Sequence, residues 1–365
     1  MSRALAFLTG GRPLDFGARL SRLRWRRAAG AATAVDWDGG EDAAAALSAA
    51  DVWMIVSEPA ALPVFGAAAP EPVAGRILAA TPAAPEGFVH TLRELEEARL
   101  GADASGALGP AAIVVRAADF PARASETIDK YINRLHTDGP SHAAHPAFRA
   151  VHFEESSERE RPELTRRLPA GTLRILDVGC GAGAGIAAAK ARHPAWSVTG
   201  IEWDPVLAVR ARSRCDRVLE GDLAQILPAL AAEGARFDAI VFADVLEHLE
   251  DPVAALAAAR RVAALGARLL VSVPNVGHLS IARDLLAGRF DPIPAGLTDA
   301  RHLRWFTRSF LAEALAESGW QTIFIESEVG APAPDSAAFL ALAAAWPDAN
   351  RESLATYQWV ALASA

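Results

Sequence analysis

Short apolar runs that end in an acid, a glycine or a proline recur along the second half of the chain: 173–179 (LRILDVG), 197–203 (SVTGIEW), 217–222 (RVLEGD), 237–244 (FDAIVFAD), 267–274 (ARLLVSVP), 320–328 (WQTIFIESE) and 356–364 (TYQWVALAS). Helical runs separate the first five. AGIAAAKARHP (184–194) is one; PVAALAAARRVAALG (252–266) is another, with Asp251 as N-cap, Pro252 at the first helical position and Gly266 just past the expected end. Near-continuous apolar strands alternating with helices predict a parallel sheet buried on both faces.

The first 120 residues show a looser version of the same alternation. Runs 4–10, 32–38, 51–58 and 111–119 read as strands, and 12–28, 41–49 and 91–102 as helices. This predicts a small α/β unit over 1–120. The Pro- and Ala-rich stretch 59–85 reads as a loop with one helix. Between Ser125 and Glu160 the periodicity breaks, and residues 121–165 are expected to form a linker and lid. Four of the nine histidines fall here (His136, His142, His145, His152), but their irregular spacing matches no metal-ligand pattern.

Composition narrows the class. The chain has 365 residues, 52% of them apolar, enough for two domains with real cores. A formal charge of -8 argues against a nucleic-acid partner held by phosphate contacts. The basic run 19–27 (RLSRLRWRR) is the local exception, read as a solvated helix face in preference to a phosphate-binding patch. Two cysteines, Cys180 and Cys215, with no CxxC or Cys/His cluster, predict neither a disulfide framework nor a metal site, and fit a reducing cytoplasm. The opening MSRALAFLTG has no signal-peptide pattern, and no apolar stretch reaches a membrane span.

Chemistry concentrates in ILDVGCGAGAG (175–185). Gly179, Gly181, Gly183 and Gly185 follow an apolar strand and precede a helix. Glycine at this density means a tight turn or a close approach to a ligand. A P-loop is excluded, since no GK[ST] follows. A dinucleotide site needs GxGxxG, and its third glycine position holds Ala184. The flanking acids favour a nucleoside without a pyrophosphate. Asp177 closes the first strand, where it would repel phosphate and attract an ammonium. Glu202 closes the second, where it can accept from both ribose hydroxyls. Asp222 follows the third, facing an adenine amino group or capping the next helix. Trp203 lies on an adenine face or at the core edge. Asp244 ends the fourth strand, orienting a substrate or capping a helix.

The ordered set resembles the class I S-adenosylmethionine-dependent methyltransferases over about 173–365. ILDVGCGAGAG looks like their first motif, VTGIEWDP their ribose-binding strand, EGDL their adenine-contacting segment and FDAIVFADVLEHLEDP their fourth-strand motif. SVPNVGHLSIARDLLAGRFD followed by RHLRWFT resembles the branch associated with polysaccharide, O-antigen and natural-product O-methylation, related to ubiquinone-type O-methyltransferases. GLTDARHLRWFT has a threonine where that branch often has leucine, which bears on the acceptor. The resemblance implies an α/β fold with a seven-stranded Rossmann-like sheet, mostly parallel with a reversed last strand, over 166–365. It implies S-adenosyl-L-methionine as cofactor, met by Asp177, Gly179, Cys180, Gly181, Gly183, Glu202, Trp203, Asp222, Leu223 and Asp244. His248 and His302 are the candidate general bases for a hydroxyl on a sugar, glycan or other small molecule; a structural role for His248 and packing of His302 beside Trp305 and Phe306 stand against this. Asn275 is a further acceptor contact or a plain turn, and Arg301 and Arg304 are surface charge or contacts to an anionic acceptor. The N-terminal unit, with Asp36 and Asp38 in DxD spacing before glycines, reads as a degenerate glycosyltransferase-like or generic accessory domain for acceptor recognition, dimerisation or docking to a partner enzyme. The opposing reading is a non-catalytic scaffold on a methyltransferase fold.

Overall fold

The computed structural model describes residues 2–8, 21, 24–25, 33–38, 40–56, 62–65, 77–85, 91, 100–102, 112–137, 142–151, 160–168, 174–293, 295–329, 336–343 and 345–365. The chain divides into two compact units. One comprises Met1–Phe153 with Asp291–Arg301, the other Glu154–Phe290 with His302–Ala365.

The second unit is built on β9 (Arg174–Val178), β10 (Ser197–Glu202), β11 (Arg217–Glu220), β12 (Phe237–Ala243), β13 (Ala263–Pro274), β14 (Gln321–Glu328) and β15 (Gln358–Ser364), in the spatial order β11-β10-β9-β12-β13-β15-β14. The first five pair in parallel, and β15 runs antiparallel to both β13 and β14. Burial on both faces explains the unbroken apolar runs. Leu176, Val178, Ile240, Phe242, Leu269, Val271 and Trp359 pack one face against α6 (Leu223–Ala232), α7 (Pro252–Arg260) and α9 (Arg308–Glu317). Their neighbours Ile175, Val198, Ala239, Val241, Leu270 and Val360 turn to the other face, against α3 (Pro162–Thr165) and α4 (Ala184–Arg192). The chain winds outward from β9 through β10 to β11, then returns to β12 on the other side of β9. Its topological switch point therefore lies between the carboxyl ends of β9 and β12, where open α/β sheets bind ligands.

The helix starts follow local chemistry. Asp204 caps α5 (Pro205–Ala211), Asp222 caps α6 and Asp251 caps α7, two of them followed by proline at the first helical position. α4 differs: Gly183 opens it at φ +79° with no side-chain cap. One boundary departs from the sequence reading. α7 stops at Arg260, and β13 begins at Ala263. Gly266 lies inside that strand at φ +73°, where the register against β12 shifts by extra residues, so its conformational freedom serves a bulge and not a helix end.

The first unit contains an eight-stranded mixed sheet. Its strands are β1 (Arg3–Leu8), β2 (Thr33–Trp37), β3 (Val52–Val56), β4 (Leu62–Phe65), β5 (Ile77–Pro85), β6 (Leu100–Ala102), β7 (Ala112–Arg116) and β8 (His142–Val151), in the order β2-β1-β3-β7-β5-β8-β4, with β6 on β5. The four expected strands are present. The Pro- and Ala-rich stretch forms β4 and β5, where a loop and helix were expected, and 100–102 is a strand. The segment expected as linker and lid supplies α2 (Ile128–Thr137) and β8 to this unit. Alanine carries too little periodic contrast to betray such strands. α2 buries Ile128, Tyr131, Ile132 and Leu135, one face at helical spacing, against Trp37 and Trp53. The histidine side chains of 136–152 and most of the basic run 19–27 lie outside the described residues. Within that run the described Ser21 and Trp25 are buried and Arg24 is half-buried.

Arg134 on α2 forms a two-pronged pair with Glu126, at 2.9 and 2.8 Å, beneath little solvent. The Arg134 hydrogen bond holds the Glu126 carboxyl down at about 2, against the opposing effect of burial. A carboxyl lowered on folding stabilises the native state above its unfolded value near 4.5 and loses that contribution as pH falls towards 2. We expect Glu126→Gln to destabilise this unit by about 1.5–3 kcal/mol at pH 7, read as faster amide exchange in α2. The gap from wild type should begin to close below pH 4.5; a gap independent of pH would show that the pair contributes through shape alone.

Candidate functional site

The carboxyl ends of β9, β10 and β12 gather the predicted acids around one loop. Gly179, Gly181 and Gly183 all have positive φ (+65°, +56° and +79°), a backbone path that a side chain strains. A Cβ on Gly179 would also come within 2.6 Å of Val245. The amides of Gly179 and Cys180 donate to the Ile201 carbonyl at 2.8 and 3.0 Å, fastening the loop to β10. Glu202, 4% exposed, then spans the gap: one carboxylate oxygen accepts from Gly181 N at 2.8 Å, the other from Asp204 N at 2.9 Å. Cys180 packs beneath this loop, on the Gly200 backbone; a Cβ there would sit 2.6 Å from Cys180 Sγ and 3.5 Å from Cys215 Sγ.

Asp177 is buried between them. Burial, and then the charge of Glu202, push its carboxyl up to about 7, while Arg161 pulls the other way. Asp222 is exposed and caps α6 through Ala224 N at 2.9 Å; Leu223 starts that helix, and Trp203 is 79% exposed. The cap alternative for Asp222 is thus realised.

Asp244 takes a left-handed backbone, φ +56°, unusual for a residue with a side chain. It does not cap a helix. Its carboxylate accepts from Ser272 Oγ at 2.8 Å, Arg161 Nη1 at 2.5 Å and Gln358 Nε2. Burial raises its proton affinity, but Arg161, Ser272 and the nearby His302 together hold the carboxyl below its ordinary range. Sequence reading missed this network. Arg161 was lost in the charge-rich ERERPEL stretch, and Ser272 and Gln358 looked like ordinary strand residues.

His248 and His302 come together. His248 ends a 3₁₀ turn, Leu246–His248, directly after β12. The carbonyl of Glu247 in that turn accepts from Leu303 N at 2.7 Å and Arg304 N at 3.0 Å, which pins the 302–304 segment against it. The two imidazole centroids are 4.9 Å apart with planes at 65°, and Trp305 stands 5.6 Å from His302. The Glu247 side chain, not foreseen, is 1% exposed beside them. Asn275 is fully buried and serves the turn: Nδ2 donates to the carbonyls of Ser353 and Thr356, and Oδ1 accepts from Gly277 N. Arg304 reaches the Glu250 carbonyl, and Arg301 in the other unit pairs with Asp299 at 2.6 Å.

Comparison with known proteins bears on this arrangement. A family model described as a methyltransferase domain matches residues 121–323, more than half of the chain. A ubiquinone biosynthesis O-methyltransferase of Xylella fastidiosa is 37% identical over 115 residues, 31% of this chain and 46% of the relative. A malonyl-[acyl-carrier protein] O-methyltransferase of Geobacter sulfurreducens is 31% identical over 171 residues, 46% of this chain and 63% of the relative. The chain thus spans about half the length of the curated relatives it matches. A solved S-adenosylmethionine-dependent methyltransferase from Archaeoglobus fulgidus aligns at a TM-score of 0.40 with 16% identity, over 53% of this chain and 87% of that one. The remaining N-terminal part has no recognised family. With a glycine loop and a line of strand-end acids at the switch point of a seven-stranded sheet, and a family match over more than half its length, the chain belongs to the methyltransferase-domain family.

Proposed function

We propose that this protein transfers the methyl group of S-adenosylmethionine to a hydroxyl oxygen of a small molecule, with a sugar or glycan as the favoured acceptor class. The observation that carries the reading is the pairing of His248 with His302 directly after β12, beside the crevice that the glycine loop and Asp177 border. In such a transfer the acceptor oxygen bonds to the methyl carbon as the carbon–sulfur bond breaks. Its electron pair passes to sulfur, and the hydroxyl proton is released beside the two imidazoles. The cofactor is already activated, so alignment supplies most of the rate, and a nearby proton acceptor adds about 10²–10⁴-fold. The names of both O-methyltransferase relatives support oxygen as the acceptor. Both cysteines are free thiols, consistent with a reducing cytoplasm. Among the described residues no helix is long and apolar enough to cross a membrane.

On the cofactor side the same reading assigns Glu202 to the ribose hydroxyls and Asp177 to the methionyl ammonium. Gly179, Cys180, Gly181 and Gly183 form the backbone cradle. Asp222, Leu223 and Trp203 line the adenine end, and Asp244 borders the methionine end. The first unit is assigned to acceptor recognition or docking.

Three measurements test this. First, Glu202→Ala should weaken S-adenosylhomocysteine by about 1.5–3 kcal/mol, tenfold to over a hundredfold, in a protein whose circular dichroism is unchanged. An unchanged dissociation constant removes Glu202 from the site, and no binding at all by the wild type favours a non-catalytic scaffold.

Second, Asp177 must ionise to hold an ammonium. Its carboxyl, at about 7 in the free protein, is largely protonated below that pH, so affinity should fall by up to about tenfold per pH unit as pH drops below 7. Calorimetry between pH 5.5 and 8.5 reads this. Asp177→Asn should be weaker at pH 8 and flat with pH; a wild type equally flat refutes the pairing.

Third, a screen of sugars, nucleotide-sugars and phenols with methyl-labelled cofactor identifies the acceptor. With it, His248→Ala and His302→Ala should retain S-adenosylhomocysteine affinity while at least one loses about 10²–10⁴-fold in single-turnover rate. Losses of only a few-fold in both would mean that alignment alone drives the reaction, and label on nitrogen or carbon would overturn the choice of oxygen.

A further inference from the structure

Cys180 and Cys215, the chain's two cysteines, are free thiols and both are buried, at 7% and 8% exposure. One lies in the glycine loop after β9, the other in the turn that follows α5. The fold sets both against Gly200 on β10, where a Cβ would stand 2.6 Å from Cys180 Sγ and 3.5 Å from Cys215 Sγ. The two side chains share a hydrogen bond. We propose that Cys180 and Cys215 form a reversible disulfide, made by hydroperoxides and undone by thiols, which loosens the cofactor loop when it closes. That this loop carries the cofactor rests on the methyl-transfer reading; formation of the bond does not.

The turn after α5 packs on the loop at more than the two sulfurs. A Cβ on Gly183 would meet Arg214 Cβ at 3.1 Å, Ala211 Cα at 3.4 Å and Cys215 Sγ at 3.4 Å. Arg214 Nη1 donates to the Ala182 carbonyl at 2.9 Å. The thiols therefore face each other across a seam that other contacts hold shut. Their hydrogen bond also divides the roles. It pushes the Cys180 thiol up, as do burial and the charge of Asp177. The same bond brings the Cys215 thiol below its ordinary range against the effect of burial, and the charge of Lys190 adds to this. Cys215 is the thiolate side of the pair, the form that attacks peroxides, and Cys180 is the resolving thiol.

The Cys215 thiolate attacks one oxygen of hydrogen peroxide; the O–O bond breaks, and the departing hydroxide takes up a proton as water. The sulfenic acid left on Cys215 is then attacked by the Cys180 sulfur. The S–S bond forms, the S–O bond breaks, and the hydroxyl leaves with the Cys180 proton as a second water. Together the two thiols lose two electrons, which the peroxide gains. A disulfide holds its sulfurs about 2.05 Å apart and its Cβ atoms about 3.8 Å apart, much closer than two thiols in contact, so the bond draws Cys180 towards the turn. On either side of Cys180, the amides of Gly179 and Gly181 are committed to the Ile201 carbonyl and the Glu202 carboxylate, each at 2.8 Å. Cys180 Sγ already lies against the Gly200 backbone. The displacement is therefore taken up by the loop's hydrogen bonds. By linkage, a ligand that holds the loop in its reduced shape opposes the disulfide.

The test uses the full chain, fully reduced and then treated with stoichiometric hydrogen peroxide. Mass spectrometry should find a peptide linking Cys180 to Cys215, with both thiols lost in denaturant and both restored by dithiothreitol. The oxidised protein should bind S-adenosylhomocysteine about tenfold or more weakly, the effect of one lost hydrogen bond to a charged group, and exchange its amides faster over 179–183. Excess S-adenosylhomocysteine should slow the linkage. Cys215→Ser should match the reduced wild type in affinity and keep that affinity through the same peroxide treatment. Thiols that survive peroxide, or that pass to sulfinic acid with no linked peptide, overturn the disulfide. A linked protein with unchanged affinity and exchange overturns the loosening, as does an equal loss of affinity in peroxide-treated Cys215→Ser. A protein that links, exchanges faster at the loop and binds no S-adenosylhomocysteine in either state supports the disulfide and sinks the methyl-transfer reading instead.

Discussion

The carboxyl ends of β9 and β10 hang on the carboxylate of Glu202. It is nearly out of solvent, and it accepts from the amide of Gly181 on one side and of Asp204 on the other. Those bonds tie the end of β10 to the glycine loop after β9 and to the start of α5. A buried charge is tolerated only when such donors meet it. The loop in turn needs the left-handed conformations that only glycine adopts freely, so the acid and the glycines are parts of one device. Asp177 lies next door: burial first, and then the charge of Glu202, lift its carboxyl to about 7.

A second device fixes the turn after β12. The carbonyl of Glu247 accepts hydrogen bonds from the amides of Leu303 and Arg304, which ties the turn after β12 to the segment from His302. Asp244 lies at the root of that turn in a strained backbone conformation, held by Arg161, Ser272 and Gln358. Strain of this kind persists where the surroundings over-determine it. Here it aims the strand end while the carboxylate is kept ionised between β12, β13, β15 and the segment before α3.

The second unit was legible in the sequence because its strands are buried on both faces and its helices begin with explicit caps. All seven strands fall within a few residues of the expected runs, and Asp204, Asp222 and Asp251 cap as short polar residues at helix starts do. The first unit was less legible. Its added strands β5 and β8 are rich in alanine and proline, residues that carry little hydrophobic contrast and low strand preference, and β4 is only four residues long. Pairing across the sheet, and not local preference, makes them strands. Gly266 failed as a helix stop for a related reason: the strand bulge that needs its positive φ is set by pairing with β12.

By itself, the sequence determined the strand-end acids, the glycine loop and His248, because each is written in local spacing: an acid closing an apolar run, glycines at alternate positions, a histidine just after an apolar run; His302 came from the resemblance of its segment. Tertiary structure alone decided what these groups touch. Arg161 reaches Asp244, Glu202 bridges two amides, and Glu247 joins the histidine pair because chain segments far apart in sequence are brought together by the sheet order. Hydrogen bonds and close charges act over a few ångströms, and no pattern along the chain encodes which distant neighbour will be that close.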